Sequence, residues 1–431
     1  IVCFVEFCYK CNVYDLFFFF SMKVLFLLAY YNPETAASIY LFENTIEALI
    51  SSGVEVELIC PIPGRGVVSS VNKEYRHKLE EDQYEGRLHI RRFKMYMEGK
   101  GTISRFIRYL LCCIKYYFMG CRSQNVDVIF SESTPPILGA TAAMIKKKLK
   151  VPLVYNLQDI FPDSLVLTGL SSKNSFLWKI GRKLENYTYD TSDHIITISE
   201  DFKNNILEKG VPEKKISVVY NWVDEKAVVN VPRQDNKLFD KYNLDRNKFY
   251  VTYSGNLGLS QNLELLCNVA NRLKDYQDIQ FVLIGEGAYK DELEKRIEQM
   301  KLANITLLPF QPYEDISHVF SLGDVGLVIS KPGTGNGCVP SKTWSIMSAS
   351  RPVLANFDKS ELQTIIENNK CGLFTIAGDE DRFLESLICL YKDKELCKLL
   401  GDNGRQFVMN NLTKEIGTSK YVDVIKNIVR E

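Results

Sequence analysis

A lysine placed just behind a run of glycines is the strongest hint of chemistry in this sequence. In KPGTGNGCVPSK (331–342), Gly333, Gly335 and Gly337 fall within five residues, and the pattern predicts a helix from Ser341 to Ser350. A helix amino end attracts anions, while a cation in the first turn opposes the helix dipole. Lys342, preceded by Pro340 and Ser341, therefore points to a phosphate-bearing ligand; a solvated surface lysine is the plainer alternative. Two other loops could cradle phosphate through backbone N–H groups. SGNLG sets Gly255 and Gly258 around Asn256 and Leu257, and LIGEG sets Gly285 and Gly287 around Glu286. Tight turns needing positive φ would use the same glycines. Lys290 stands where a dinucleotide fingerprint would carry its third glycine, so NAD binding is disfavoured. LQDIFPDS (157–164) offers Asp159 at a strand end, with Asp163 four residues on. Asp159 could orient a hydroxyl or accept its proton, or simply cap a turn. Metal chemistry finds little support. The four His are scattered, Asp379–Glu380–Asp381 sits before a helix and reads as a cap, and the Cys8/Cys11 pair has no partner pair at zinc spacing.

These loops need strands to hold them. Short apolar runs alternate with amphipathic stretches, the pattern of βαβ units. Strands are expected at 24–30, 54–60, 126–132, 153–157 and 194–199, then at 249–255, 279–287, 305–310, 325–330 and 351–356. Between the two series, 226–246 lacks periodicity and reads as a linker. The expectation is an α/β protein of two doubly wound, Rossmann-like domains, 22–225 and 247–410, with a terminal helix in 411–431 packing back on the first. Ligands of such sheets bind beyond the carboxyl ends of the strands, so the facing cleft is the expected site.

Composition agrees with two globular domains. The chain has 431 residues, 46% of them hydrophobic, and 53 Lys+Arg balance 53 Asp+Glu. A neutral total argues against nucleic-acid binding. It is also a cancellation, since residues 86–150 hold thirteen Lys/Arg against Glu98, Asp127 and Glu132. Residues 1–21 are apolar but interrupted by Glu6, Lys10 and Asp15, and the βα pattern opens at Met22. They read as a leader upstream of the natural start, with a hydrophobic anchor as the alternative. The cysteines lie scattered through apolar runs, as buried thiols do in a reducing compartment.

The strand-end motifs, in their order, resemble glycosyltransferase family 4, the GT-B architecture of retaining, nucleotide-sugar-dependent enzymes. The resemblance rests on SGNLG, LIGEG, PSK (340–342) and the segment 198–224, and spans about 22–410. LQDIFPDS and VPSKTWSIMSASRPVLA (339–355) are similar to the branch of N-acetyl-L-fucosamine-type transferases of bacterial surface polysaccharides. The resemblance implies a UDP-sugar donor as substrate, no cofactor and no metal. It places Gly255–Gly258 and Lys342 at the diphosphate, Gly285–Gly287 along the nucleotide, and Phe310, Gln311 and Pro312 at the base. It also gives Ala36 and Ala37 the place of two glycines aimed at donor phosphate or acceptor. The sequence departs from the family where Gly337 and Ser345 replace a glutamate pair, where Ser260 and Gln261 replace a basic pair, and where Gln158 replaces a histidine. Lys342 would stand in for the lost charge.

Residues 103–122 read as an amphipathic helix. Arg105, Arg108, Lys115 and Arg122 form one basic stripe beside Tyr109 and Tyr116, and Ile107, Leu110, Leu111, Ile114 and Phe118 form the apolar face. With Lys146, Lys147, Lys148 and Lys150 nearby, the stripe suits an anionic bilayer. Relatives of this kind extend sugars on a polyprenyl-diphosphate carrier, so the resemblance implies a cytoplasmic protein bound peripherally to the inner face of the cytoplasmic membrane. A UDP-sugar 2-epimerase of the same architecture and a non-catalytic assembly subunit are the competing functions.

Overall fold

A computed structural model describes residues 22–34, 38–99, 101–167, 172–173, 175–335 and 339–430. Ala36, Ala37, Gly337, the Cys8/Cys11 pair and the leader lie outside the described residues.

Two sheets organise the chain. The first contains β1 (Lys23–Leu27), β2 (Glu55–Pro61), β3 (Glu80–Gln83), β4 (Leu88–Phe93), β5 (Val128–Glu132), β6 (Leu153–Leu157), β7 (His194–Thr197) and β8 (Ile216–Val218). Its order is β3-β4-β2-β1-β5-β6-β7-β8, parallel except for the β3/β4 pair. The second contains β9 (Phe249–Ser254), β10 (Ile279–Ile284), β11 (Ile305–Leu308), β12 (Val325–Ile329), β13 (Val353–Phe357) and β14 (Gly372–Ile376), in the order β11-β10-β9-β12-β13-β14. The central strands are continuous apolar runs because helices cover both of their faces, and β1, β5, β6, β12 and β13 are buried almost throughout.

Each order reverses at a defined point. The first sheet switches direction between β1 and β5, the second between β9 and β12. A crevice opens where neighbouring connections leave in opposite directions. In the second sheet that crevice lies between the loop after Ser254 and the loop after Ile329, which are tied by the Lys331 N–H donating to Ser260 O at 2.8 Å.

The stretch 226–246 is folded onto the second sheet rather than being a free connection. Val228 enters its core, Leu238 and Phe239 pack under Tyr250, and Arg233 donates to Asp324 at 2.6 Å. The aperiodic pattern reflects short turns and a one-turn helix, Leu238–Lys241. The last helix, Lys414–Arg430, returns to the first sheet. There Tyr421 and Ile425 join the core, and Trp222 meets Tyr421 edge-on at 5.7 Å.

Candidate functional site

The two glycine loops are locked to each other. The Gly255 N–H donates to Ile284 O at 3.0 Å and the Leu257 N–H to Glu286 O at 2.9 Å. Gly255 and Gly285 have φ of +145° and +155°, and a Cβ on Gly285 would stand 1.9 Å from Gly255 O. The glycines are thus needed for close approach of two backbones, and the expected cradle of successive amides is not formed. Among the described residues, only the Asn256 and Gly258 N–H groups of SGNLG remain without a protein acceptor. Leu257 is buried, Glu286 pairs with Lys290 at 2.9 Å, and Gly287 packs against Leu257 O.

Lys342 fills the remaining space. Its Nζ lies 3.8 Å from the Tyr253 ring centroid, and a Cβ on Gly255 would come within 2.9 Å of it. Gly255 therefore keeps open the place that the ammonium reaches. Burial pulls the Lys342 amine down to about 7, and no carboxylate among the described residues pairs with it. The helix behind it is shorter than expected, Lys342–Ser348, with Ser341 leaving its first turn uncapped and Pro340 O accepting from the Thr343 N–H.

The three residues expected at a base have separate fates. Phe310 is 73% exposed and Pro312 is exposed beside it, together offering an open ring face. Gln311 is buried and fully engaged. It accepts from Lys241 at 2.9 Å and donates to the Tyr242 hydroxyl and Pro309 O, so its side chain is committed within the protein.

Across the cleft, Ser133 Oγ accepts from the Gln158 and Asp159 N–H groups at 2.9 and 3.2 Å, fixing the turn after β6. Gln158 is held in amide pairs with Asn156 and Asn221. Desolvation raises the Asp159 carboxyl above the ordinary range, opposed by bonds from Ser164 and the Ile160 N–H. Asp159 is not alone at a strand end. Glu132 closes β5 fully buried, accepts from the Ala29 N–H, and is pushed up to about 8 by burial. Its signal in the sequence was a strand-final acid in VIFSE. Asp379 caps the helix Glu380–Lys392 by accepting from the Arg382 N–H at 3.0 Å.

The basic stripe is corrected by the structure. In the helix Thr102–Gly120, Arg108 is 1% exposed, donates to Tyr96 O at 3.1 Å and faces Glu98 at 3.9 Å. Tyr116 and Cys112 are buried on the same side. Arg105 bonds Glu98 and Gly99 O, Lys115 donates to Lys94 O, and Arg122 lies past the helix end, exposed. The face turned to solvent is the apolar one, with Ile103, Phe106, Ile107, Leu110, Ile114 and Phe118 all exposed. The helix is rotated about half a turn from the expected orientation, because Glu98 needs the buried guanidinium and Tyr116 fills the core beside Phe93.

Two helix amino ends meet across the cleft. The Glu200 N–H donates to Glu361 Oε2 at 2.8 Å, and the Glu361 N–H donates to Asp201 Oδ2 at 2.8 Å. Tyr220 adds its hydroxyl to Glu361. Each carboxylate caps the other domain's helix. Charge-assisted bonds of this kind are worth about 1.5–3 kcal/mol. Asp201→Ala with Glu361→Ala is therefore expected to increase the radius of gyration in small-angle scattering while both domains stay folded; an unchanged scattering curve would show that the clasp does not hold the domains.

The comparisons with known proteins cover both halves. Residues 41–227 match the family model described as Glycosyltransferase Family 4, and residues 234–407 match Glycosyl transferases group 1. The chain is similar to the probable glycosyltransferase WbjE of Pseudomonas aeruginosa, at 26% identity over 72% of this chain and 77% of that one. It is similar to the putative colanic acid biosynthesis glycosyl transferase WcaI of Escherichia coli, at 27% identity over 76% and 81%. A Campylobacter jejuni N-acetylgalactosaminyltransferase named for a diphospho-undecaprenol substrate is 24% identical over 70% and 76%. Among solved structures, Anabaena HepE in complex with UDP and glucose superposes with a TM-score of 0.69, at 16% identity over 94% of this chain and all of that one.

Proposed function

The chain belongs to glycosyltransferase family 4, with the GT-B fold, and from that premise we propose that it transfers a sugar from a UDP-sugar to a lipid-linked saccharide in bacterial surface-polysaccharide synthesis. The observation that carries the reading is Lys342, a partly buried lysine whose amine lies over the Tyr253 ring with no carboxylate partner among the described residues, beside the switch point of the second sheet. A donor diphosphate is the anion that would satisfy it. The HepE complex with UDP and glucose, and the undecaprenol named for the Campylobacter relative, support the donor and acceptor classes. The N-acetylated character of the sugar rests on the LQDIFPDS and PSK motifs alone.

In this scheme the acceptor hydroxyl attacks the anomeric carbon on the face from which UDP departs. Negative charge grows on the β-phosphate as the bond breaks, and a pre-placed ammonium stabilises it without reorganisation. Lys342 supplies that charge, and the Asn256 and Gly258 N–H groups supply dipoles at the same loop. Phe310 offers its ring to the base. Asp159 takes the acceptor proton late in transfer; its raised carboxyl makes it a better base than an exposed aspartate. The exposed apolar helix face supports docking on a bilayer that carries the acceptor; among the described residues no helix is long and apolar enough to cross one.

The test incubates the purified protein with UDP-N-acetylhexosamines and a polyprenyl-diphosphate-linked saccharide, then analyses the lipid extract. Sugar added to the lipid-linked species is the expected result. An epimerised free UDP-sugar, or donor binding without any turnover, would overturn the proposal.

A further inference from the structure

A cavity of about 690 Å³ opens beside Asp159, and Lys342 does not line it. Its size is that of a small-molecule site. The turn after β6 forms one side and the helix Glu200–Glu208 another, lining it with Asp201, Asn204 and Glu208. Trp178 contributes an indole, and Lys359 and Ser360 close it from the second domain. Among the described residues, none of those assigned to the donor lines this space. It shares Asp159 with the reacting centre and adjoins the donor side through Thr334, from the loop that leads to Lys342.

The lining has the chemistry of carbohydrate recognition. Carboxylates accept from hydroxyl pairs, and the Asn204 and Asn205 amides both donate and accept. An indole is a large apolar surface with a single polar edge, suited to the C–H face of a sugar ring. The charge balance narrows the ligand. Asp163 is already neutralised by Lys209 at 2.7 Å, which leaves Asp159, Asp201 and Glu208 against Lys173 and Lys359. A phosphate or uronate entering here would add a further negative charge to an acidic lining, at close range and with partial desolvation. The Asp201 carboxylate also caps the second domain's helix, so the wall is complete only while the two domains are clasped.

We propose that this cavity holds the uncharged sugar units at the growing end of the acceptor, with Asp159 at its mouth, and that its carboxylates exclude acidic sugars. The proposal rests on the transferase reading above and adds the acceptor's location and its charge class. Only neutral or cationic residues are accepted next to the hydroxyl that is glycosylated.

The probes are methyl β-glycosides of N-acetylglucosamine and N-acetylgalactosamine, set against methyl β-glucuronide, with binding to the full chain read by saturation-transfer NMR. UDP binding is titrated calorimetrically in parallel. The neutral glycosides are expected to bind at least tenfold more tightly than the glucuronide. Asn204→Ala with Glu208→Ala, both exposed positions, should weaken them about tenfold while leaving UDP affinity unchanged, and Glu208→Gln should narrow the gap to the glucuronide. Trp178→Phe should remove any fluorescence change on sugar binding, since Trp222 and Trp344 are buried elsewhere. Glucuronide binding as tight as the neutral sugars, or neutral binding untouched by the double variant, overturns the subsite. Loss of UDP binding in the unmodified chain would instead overturn the donor reading on which it rests.

Discussion

Lys342→Ala is expected to lower the transfer rate by about 10²–10³-fold, the usual effect of removing one preorganised group that stabilises a developing oxyanion. The geometry makes the loss hard to compensate. Gly255 has no side chain, the Gly255 and Leu257 N–H groups are committed to Ile284 O and Glu286 O, and the loop after β9 carries the uncharged Ser260 and Gln261. Stability should move the other way. The folded amine sits near 7, well below its ordinary value, so the unfolded chain binds more protons between about 7 and 10.5. Stability from this group therefore rises with pH across that window and is lowest where the lysine is charged. Lys342→Met is accordingly expected to keep or raise the melting temperature at pH 7 while abolishing turnover. A rate unchanged in either variant would remove Lys342 from the donor site.

The same titration predicts a pH profile. The cationic form is the one a diphosphate needs, so kcat/KM should be level below about 7 and decline as the free enzyme deprotonates above it. Lys342→Arg keeps its charge throughout and should lose the descending limb even if its absolute rate falls. A limb that persists in the arginine variant would assign the titration to another group.

Much of this was readable in the sequence, for identifiable reasons. The alternation of strands and helices was legible because strands buried on both faces must be apolar runs, whereas the spatial strand order, the switch points and the strands β4 and β8 came only from the structure. The edge strand β3 was not legible, since EEDQ has no apolar residue and is a strand only because β4 pairs with it. β14 also escaped notice, its GLFTI run being short and only partly buried. Lys342 stood out because a lysine in a helix's first turn opposes the dipole. The reason for Gly255 was hidden, because it depends on how far a side chain from 87 residues later reaches. The motif alone does not show that the Gln311 side chain is engaged by Lys241 and Tyr242, which come from the stretch read as a linker. The cavity beside Asp159 could not be read at all, since its walls come from segments whose separation only the tertiary structure fixes.

The helix Thr102–Gly120 departs furthest from the orientation its sequence suggests. Periodicity fixed its two faces, but the usual rule, apolar inward, chose the wrong one. Burying Arg108 requires an acid from another element, and Glu98 with the Tyr96 carbonyl supplies the partners. Once that side is inward, a row of large apolar residues from Ile103 to Phe118 faces solvent, which a soluble surface rarely tolerates in one stretch. We read this face as one that docks on a bilayer, with Arg122 exposed past the helix end while Arg105 and Lys115 are engaged with Glu98, Gly99 O and Lys94 O. Arg108→Glu cannot test this, because it would unfold the helix packing. Phe106→Ser, Leu110→Ser and Phe118→Ser can, as all three side chains are exposed. At ~1 kcal/mol for each half-immersed side chain, the triple variant should lose about 10²-fold in partitioning to vesicles of phosphatidylglycerol and phosphatidylethanolamine. Because burial of apolar area dominates, raising salt to 0.5 M should weaken the unmodified protein only modestly, whereas a purely electrostatic stripe would release it. Transfer to a lipid-linked acceptor in vesicles should fall with the partitioning, while transfer to a short water-soluble acceptor should not. Vesicle binding unchanged in the triple variant would overturn the membrane reading of this face.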